Sequence, residues 1–154
     1  MKGENMDERI NILFGTETGN SEDLADRLSQ AAQEKGLAVR KANVEDVKVS
    51  ELAEMQTLVI IISTWGDGDP PMSAEEFCES LASEQNLDLS KTRYAVLSLG
   101  DTNYPEFCAC GKQVDADLAR LGAKAFLERK DLDSDFDYHY DEWQDAIVNS
   151  LVTA

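Results

Sequence analysis

The chain has 154 residues, with 31 acidic against 14 basic side chains and a formal net charge of −17. That length builds one well-buried domain and is short for two, and surface charge of this sign repels nucleic-acid phosphates, which argues against that partner class. The longest apolar run, residues 58–62, falls far short of the roughly 20 residues of a membrane span. Residues 1–8 carry no hydrophobic signal region and read as a tail, with one domain over 9–154. A soluble, cytoplasmic protein is expected, and its three cysteines, an odd number, fit reduced thiols rather than a disulfide framework. The acidic surface serves either solubility or docking to a basic-patched partner, and composition does not choose between them.

Residues 10–14 read as a buried strand that stops at Gly15-Thr16-Glu17-Thr18-Gly19-Asn20-Ser21. A strand, a Gly/Thr/Asn/Ser turn and an amphipathic helix together make an anion site: backbone N–H groups and hydroxyls converge where the helix N-terminus adds positive potential. A Walker A loop would end in Gly-Lys-Ser/Thr, but Asn20 follows Gly19. The dinucleotide fingerprint needs three glycines, and only Gly15 and Gly19 are present. What remains suits a phosphate held by hydrogen bonds rather than by a countercharge. Leu24, Ala25, Leu28, Ala31 and Ala32 stripe the helix, Ser21 is placed to cap it and Gly36 to end it.

Residues 37–42 form a shorter, alternating edge strand, and residues 58–62 a β-branched run expected at the centre of a parallel sheet. The run ends in Ser63-Thr64-Trp65-Gly66-Asp67-Gly68-Asp69-Pro70-Pro71, and a helix starting near Ser73 follows. Residues 94–99 are a fourth strand with the exit loop Gly100-Asp101-Thr102-Asn103-Tyr104-Pro105. Val114, Leu118 and Leu121 stripe a helix stopped by Gly122, residues 124–129 read as a short fifth strand, and Trp143, Ala146, Ile147 and Leu151 stripe a closing helix. The alternation βαβαβαβαβα predicts a three-layer, doubly wound α/β fold with a five-stranded parallel sheet in the order 2-1-3-4-5. Ligands of such sheets sit at the C-terminal strand ends, between the first and third strands, where all three Gly-containing loops converge. Trp65 and Tyr104, one in each of the second and third loops, make a slot for a flat ring system.

Thr16-Glu17-Thr18-Gly19-Asn20, Ser63-Thr64-Trp65-Gly66-Asp67-Gly68 and Leu99-Gly100-Asp101-Thr102-Asn103-Tyr104 through Phe107-Cys108 resemble, in order, the three FMN-binding loops of flavodoxins. The acidic Gly-Pro-rich pattern after Trp65 and the uninterrupted fifth strand resemble the short-chain form found as the FMN domain of diflavin reductases, such as sulfite reductase flavoprotein and cytochrome P450 reductase. The resemblance implies that Thr16, Thr18, Asn20 and Ser21, with the backbone of Glu17 and Gly19, hold the FMN phosphate. It implies that Trp65 and Tyr104 flank the isoalloxazine, with Tyr104 the coplanar stack. Leu99, Gly100, Asp101, Phe107 and Cys108 would surround the pyrimidine edge, and Asp131, in the turn after the last strand, would be a flavin-adjacent acid. Ser63, Thr64, Gly66 and Asp67 complete the implied site.

The implied function is a single-electron carrier, moving between semiquinone and hydroquinone, rather than an enzyme with substrate chemistry of its own. Asp67, Asp69, Asp101 and Glu106 would lower the potential of an anionic reduced flavin, and the Gly66–Asp67 peptide could turn its carbonyl toward the ring. The implied partners are an NADPH-dependent flavin reductase as donor and a haem or iron–sulfur protein as acceptor, with a monomer, no nucleic acid and no membrane. The residues suit a free-standing carrier and a domain of a longer reductase alike. An FMN-dependent NAD(P)H or quinone reductase is the alternative, but no separate pocket motif supports it. A phospho-receiver domain is a poor fit, because Phe14-Gly15 and Ser63-Thr64-Trp65 stand where its acids belong. Cys108-Ala109-Cys110 reads as buried structural thiols rather than a metal pair, His139 as a surface residue, Trp143 as core, and Asp131, Asp133, Asp135 and Asp137 as a solvated face.

Overall fold

A computed structural model of the chain describes residues 6–15, 19–64, 70–103 and 108–153. In chain order the regular elements are β1 (Asp7–Gly15), α1 (Asn20–Glu34), β2 (Val39–Asn43), β3 (Met55–Ser63), α2 (Glu75–Ser83), β4 (Arg93–Leu99), α3 (Ala109–Arg120), β5 (Lys124–Ala125), β6 (Lys130–Leu132) and α4 (Tyr140–Thr153). Every strand pair is parallel, and the order is β2-β1-β3-β4-β5, with β6 also on β4. The doubly wound α/β prediction is met. Among the described residues no helix is long and apolar enough to cross a membrane.

The β-branched run in β3 explains the layers. Leu58, Ile60 and Ile62 belong to one core cluster with Phe77 and Leu81 of α2 and Val114 and Leu118 of α3. Val59 and Ile61 belong to a second, with Leu24 and Leu28 of α1 and Trp143, Ile147 and Leu151 of α4. Because successive side chains alternate between faces, a strand covered on both faces must be apolar at every position. Helices α1 and α3 close in the same manner, through Schellman pairs. Leu37 N–H donates to Ala32 O at 3.1 Å and Gly36 N–H to Gln33 O at 2.9 Å; Ala123 N–H donates to Leu118 O and Gly122 N–H to Ala119 O, both at 3.0 Å.

Five local expectations need correction. The β2–β3 crossover contains no α-helix but two 3₁₀ segments, Val44–Asp46 and Val49–Glu54. Its buried residues Val44, Val47, Val49 and Leu52 recur every two or three positions, a spacing that tight turns can bury and an α-helical stripe cannot. Helix α1 begins at Asn20 with Gly19 as its N-cap, so Ser21 lies in the first turn and does not cap. The fifth strand is split: β5 pairs Arg93 and Tyr94, β6 pairs residues 97–99, and after Phe126 N–H makes a last bond to Tyr94 O at 2.9 Å, residues 127–129 leave the ladder between them. Phe126 and Leu127 pack against the α1/α4 side there, while Arg129 reaches Asp115 of α3. Asp131 therefore lies within β6, opposite Ser98, rather than in a turn beyond the last strand. Finally, Asp7 and Glu8, read as tail, belong to β1.

Helix α3 sits unusually close to the sheet. A Cβ on Gly111 would lie 2.1 Å from Ser98 Oγ and 2.3 Å from Ser98 Cβ, so only glycine permits this approach. Lower down, Tyr94 Oη donates to Asp115 Oδ1 at 2.5 Å, tying β4 to α3. Burial, reinforced by the Asp115 carboxylate, pushes the Tyr94 phenol above its ordinary value of 10.0.

Gly111→Ala should lower stability by about 1–3 kcal/mol through overpacking. Thermal unfolding of Gly111→Ala, Ser98→Gly and the double variant should show the pair coupled, with the double variant better than the sum of its parts. For Tyr94, the neutral phenol is the form that folding favours. Its contribution is complete below about pH 10 and is lost as pH rises through the raised folded value. Tyr94→Phe should thus unfold at lower temperature than the parent at pH 8, with the gap narrowing by pH 11.

Candidate functional site

The ladder brings the strand ends to a common edge. Gly15 is opposite Ile62, Ser63 opposite Leu99, and Leu99 opposite Leu132, so the C-terminal ends of β1, β3, β4 and β6 lie level. Two further backbone bonds carry this alignment past the strands: Thr64 N–H to Leu99 O at 2.8 Å and Gly100 N–H to Leu132 O at 2.9 Å. The three loops singled out in the sequence leave from this edge.

At the first loop, Gly19 has φ +92°, a left-handed backbone that favours glycine, and among the described residues nothing lies within 4 Å of where its Cβ would be. The bond from Asp23 N–H to Gly19 O, at 3.0 Å, opens the helical ladder. The N–H groups of the first helical residues then have no intrahelical acceptor, and the helix dipole favours negative charge in front of them. Ser21 is fully buried and, among the described residues, its Oγ has no hydrogen-bond partner. A buried hydroxyl in the first turn without a partner is a costly arrangement for a fold alone, and it suits an oxyanion that a ligand would bring.

At the second loop, Ser63 ends β3 half-buried. Thr64 Oγ1 accepts the N–H of Cys110 at 2.9 Å. It thereby serves the first turn of α3, whose N-cap Cys108 makes no side-chain cap and has φ +55°. The Cys108 thiol is turned into the sheet, 3.6 Å from Ser98 O and 3.9 Å from Leu132 O. Burial pushes it up to about 11, which keeps it a neutral thiol.

At the third loop, Leu99 is buried at the end of β4, and Asp101 Oδ1 accepts the Asn103 N–H at 2.9 Å. Thr102 is held to Asp133 twice, by its N–H at 3.1 Å and its hydroxyl at 2.5 Å. The Thr102 hydroxyl bond is the first cause holding the Asp133 carboxyl below its ordinary 3.8. Asp131 accepts from Arg129 Nε at 2.9 Å, and Arg129 Nη1 donates to Asp115 at 2.7 Å. Asp131 and Asp115 thus share the Arg129 guanidinium in a carboxylate–guanidinium–carboxylate chain.

The structure therefore brings Gly19, Asn20, Ser21, Ser63, Thr64, Leu99, Gly100, Asp101, Cys108 and Asp131 to one edge of the sheet. Thr16, Glu17, Thr18, Trp65, Gly66, Asp67, Tyr104 and Phe107 lie outside the described residues, as do Asp69 and Glu106. Sequence reasoning missed Asp133, read only as part of a solvated face, and Arg129. Their only signal was an i, i+2 spacing: Arg129 and Asp133 flank the short strand β6 (Lys130–Leu132), with Asp131 at its centre. Among the described residues no group of three or more His, Cys, Asp or Glu could hold a metal ion.

Comparison with known proteins agrees with this geometry. Residues 12–145 match the flavodoxin family model. The sulfite reductase (NADPH) flavoprotein alpha-component of Neisseria meningitidis is 38% identical over 142 residues, which are 92% of this chain and 24% of that protein. The same component of Vibrio parahaemolyticus is 39% identical over 136 residues, 88% of this chain and 22% of that protein. The chain thus spans about a quarter of the length of the curated relatives it matches. Among solved structures, a flavodoxin from Streptococcus pneumonia TIGR4 superposes with a TM-score of 0.75 at 28% identity, covering 88% of this chain and 94% of that one. The partnerless Ser21 hydroxyl and the cation-free turn at Gly19 fit the phosphate of FMN, held by hydrogen bonds and helix dipole. With the parallel strand order, the level strand ends and the family match over most of its length, the chain belongs to the flavodoxin family of FMN-binding electron-transfer proteins.

Proposed function

We propose that this chain is an FMN carrier that passes electrons one at a time from an NADPH-dependent flavoprotein reductase to a haem or iron–sulfur acceptor, without substrate chemistry of its own. The observation that carries this reading is the buried, partnerless Ser21 hydroxyl at the N-terminus of α1, on the edge where four parallel strands end. FMN, when bound, supplies the electron-accepting ring; the protein supplies its place and its electrostatic surroundings.

Asn20 and Ser21 are assigned to the phosphate with Thr16 and Thr18 and the backbone of Glu17 and Gly19. The backbone of Ser63, Thr64, Leu99, Gly100, Asp101 and Cys108 borders the ring edge, with Trp65 and Tyr104 on its faces and Gly66, Asp67 and Phe107 beside it. Asp131 is assigned to the ring's surroundings, where Arg129 offsets part of its charge. The likeness to the N. meningitidis and V. parahaemolyticus components supports a role next to a second, reductase-type module, and we take the carrier to be a cytoplasmic monomer. The net charge of −17 supports docking to basic-patched partners, since complementary fields raise the encounter rate.

Two measurements test this. Titration of flavin-free protein should quench FMN fluorescence to a single endpoint, and Ser21→Ala should weaken FMN about 5–30-fold, the loss of one charge-assisted hydrogen bond. Riboflavin, which lacks the phosphate, should bind the parent and Ser21→Ala alike. Because the lone hydroxyl burdens the empty fold, Ser21→Ala should also raise the unfolding temperature of flavin-free protein by about 2–4 °C. Stepwise anaerobic reduction of the FMN-loaded protein should pass through a long-wavelength band absent from the oxidised and fully reduced spectra. Protein that takes up no FMN would overturn the carrier reading; conversion without that band would overturn the one-electron part of it.

A further inference from the structure

Cys78 and Cys110 come together from different helices, and nothing in the carrier reading uses them. Cys78 lies on α2 and Cys110 in the first turn of α3, with their Sγ atoms 3.8 Å apart. Cys110 is 5% exposed and belongs to the core beside Val114, whereas Cys78 is only partly buried and packs against that core from outside. The two thiols therefore differ in access: one can meet a small molecule, the other can be reached only through its neighbour. The nearby third cysteine, Cys108, points away from both, toward the carbonyls of Ser98 and Leu132.

We propose that Cys78 and Cys110 form a redox-modifiable thiol pair that closes into a disulfide by exchange with a low-molecular-weight disulfide, cross-linking α2 to α3. Closing the gap from 3.8 Å to the bonded length of about 2.05 Å is a displacement of under about 2 Å shared by two side chains. The Cys78 thiolate attacks one sulfur of the small disulfide, forming a mixed disulfide and releasing one thiolate. Cys110 then loses its proton and attacks the Cys78 sulfur, and the second small thiol leaves. In balance, two protein thiols and one small disulfide give one protein disulfide and two small thiols. The protein is oxidised by two electrons, and the small disulfide is reduced.

The local chemistry assigns the order of the two steps. The hydrogen bond from Cys110 holds the Cys78 thiol below its ordinary value, against the opposing effects of burial and the Asp117 carboxylate. Cys110 is pushed up by that same bond and by burial, so it stays protonated until Cys78 has been capped. The bridge would sit directly beneath the candidate site, because the Cys110 N–H is the group that Thr64 Oγ1 accepts at the end of β3. Oxidation would thus pin the first turn of α3 to α2 next to the loop that leaves β3.

Full-length protein, with and without FMN, is incubated with oxidised glutathione, then unfolded for thiol counting and digested for mass spectrometry. The expected result is a fall from three titratable thiols to one, a mass lower by two hydrogens, and a Cys78–Cys110 cross-linked peptide. Cys110→Ser should stop at a glutathione adduct on Cys78, Cys78→Ser should keep both remaining thiols, and Cys108→Ser should still cross-link. A stable glutathione adduct on wild-type protein, three thiols left unreacted, or a Cys108–Cys110 bridge would overturn the proposal. None of these readouts requires that FMN bind, so the pair and the carrier reading fail independently.

Discussion

Everything about the candidate site depends on the hydrogen-bond ladder that β3 makes with β1 on one side and β4 on the other. A parallel ladder leaves little freedom once both faces are packed, because a slip of one residue would turn Leu58, Ile60 and Ile62 toward the wrong helices. The register that buries those residues is also the register that makes β1, β3 and β4 finish level. Core packing and site geometry are therefore one constraint, and the loops inherit their spacing from the hydrophobic core.

Helix α3 transmits the constraint to the third strand end. It is pulled onto β4 by the Gly111–Ser98 approach, fixed lower down by Tyr94 and Asp115, and supplied at its first turn by the Thr64 hydroxyl. Thr64 thus joins the end of β3 to the start of α3, so two of the three loops share one hydrogen-bonded joint. Arg129 extends the same scaffold across the split fifth strand, where it holds Asp131 and Asp115 together. In a chain this acidic, a guanidinium between two carboxylates decides how much negative charge the site edge keeps. The acids near the site are accordingly not equivalent: Asp133 staples a loop, Asp131 is partly neutralised, and Asp101 serves the turn it belongs to.

Most of the architecture was legible because it rests on hydrophobic pattern. Continuous apolar runs marked β1, β3 and β4, the 3.6-residue stripes marked α1, α3 and α4, and Gly36 and Gly122 marked two helix ends that proved to be Schellman closures. The errors fell where pattern is short or ambiguous. Val44 to Leu52 has apolar residues too closely spaced for an α-helix, yet the expected alternation argued for one. Residues 124–129 look like one strand because Phe126 and Leu127 are apolar. The run leaves the ladder after Phe126 because a cluster beneath α1 and α4 is available to these two side chains, and only a folded sheet creates that alternative.

For the site, the residue types in the loops spoke plainly: hydroxyls, glycines and an amide, with no cation, after buried strands. Those choices act locally, through backbone conformation and donor chemistry, so they are visible in a linear string. The role of Ser21 was not. A serine before a helical stripe reads as a cap, and only the left-handed turn at Gly19 moves the cap back and leaves the Ser21 hydroxyl buried without a partner. By itself, then, the sequence determined the strand and helix periods, the sheet class and the chemical character of the loops, because each depends on neighbours along the chain. The tertiary structure alone decided which side chains meet across it: Thr64 with Cys110, Thr102 with Asp133, Arg129 with Asp115 and Asp131, Cys78 with Cys110. Those meetings depend on the angle and depth at which helices settle on a twisted sheet, and packing sets that depth residue by residue.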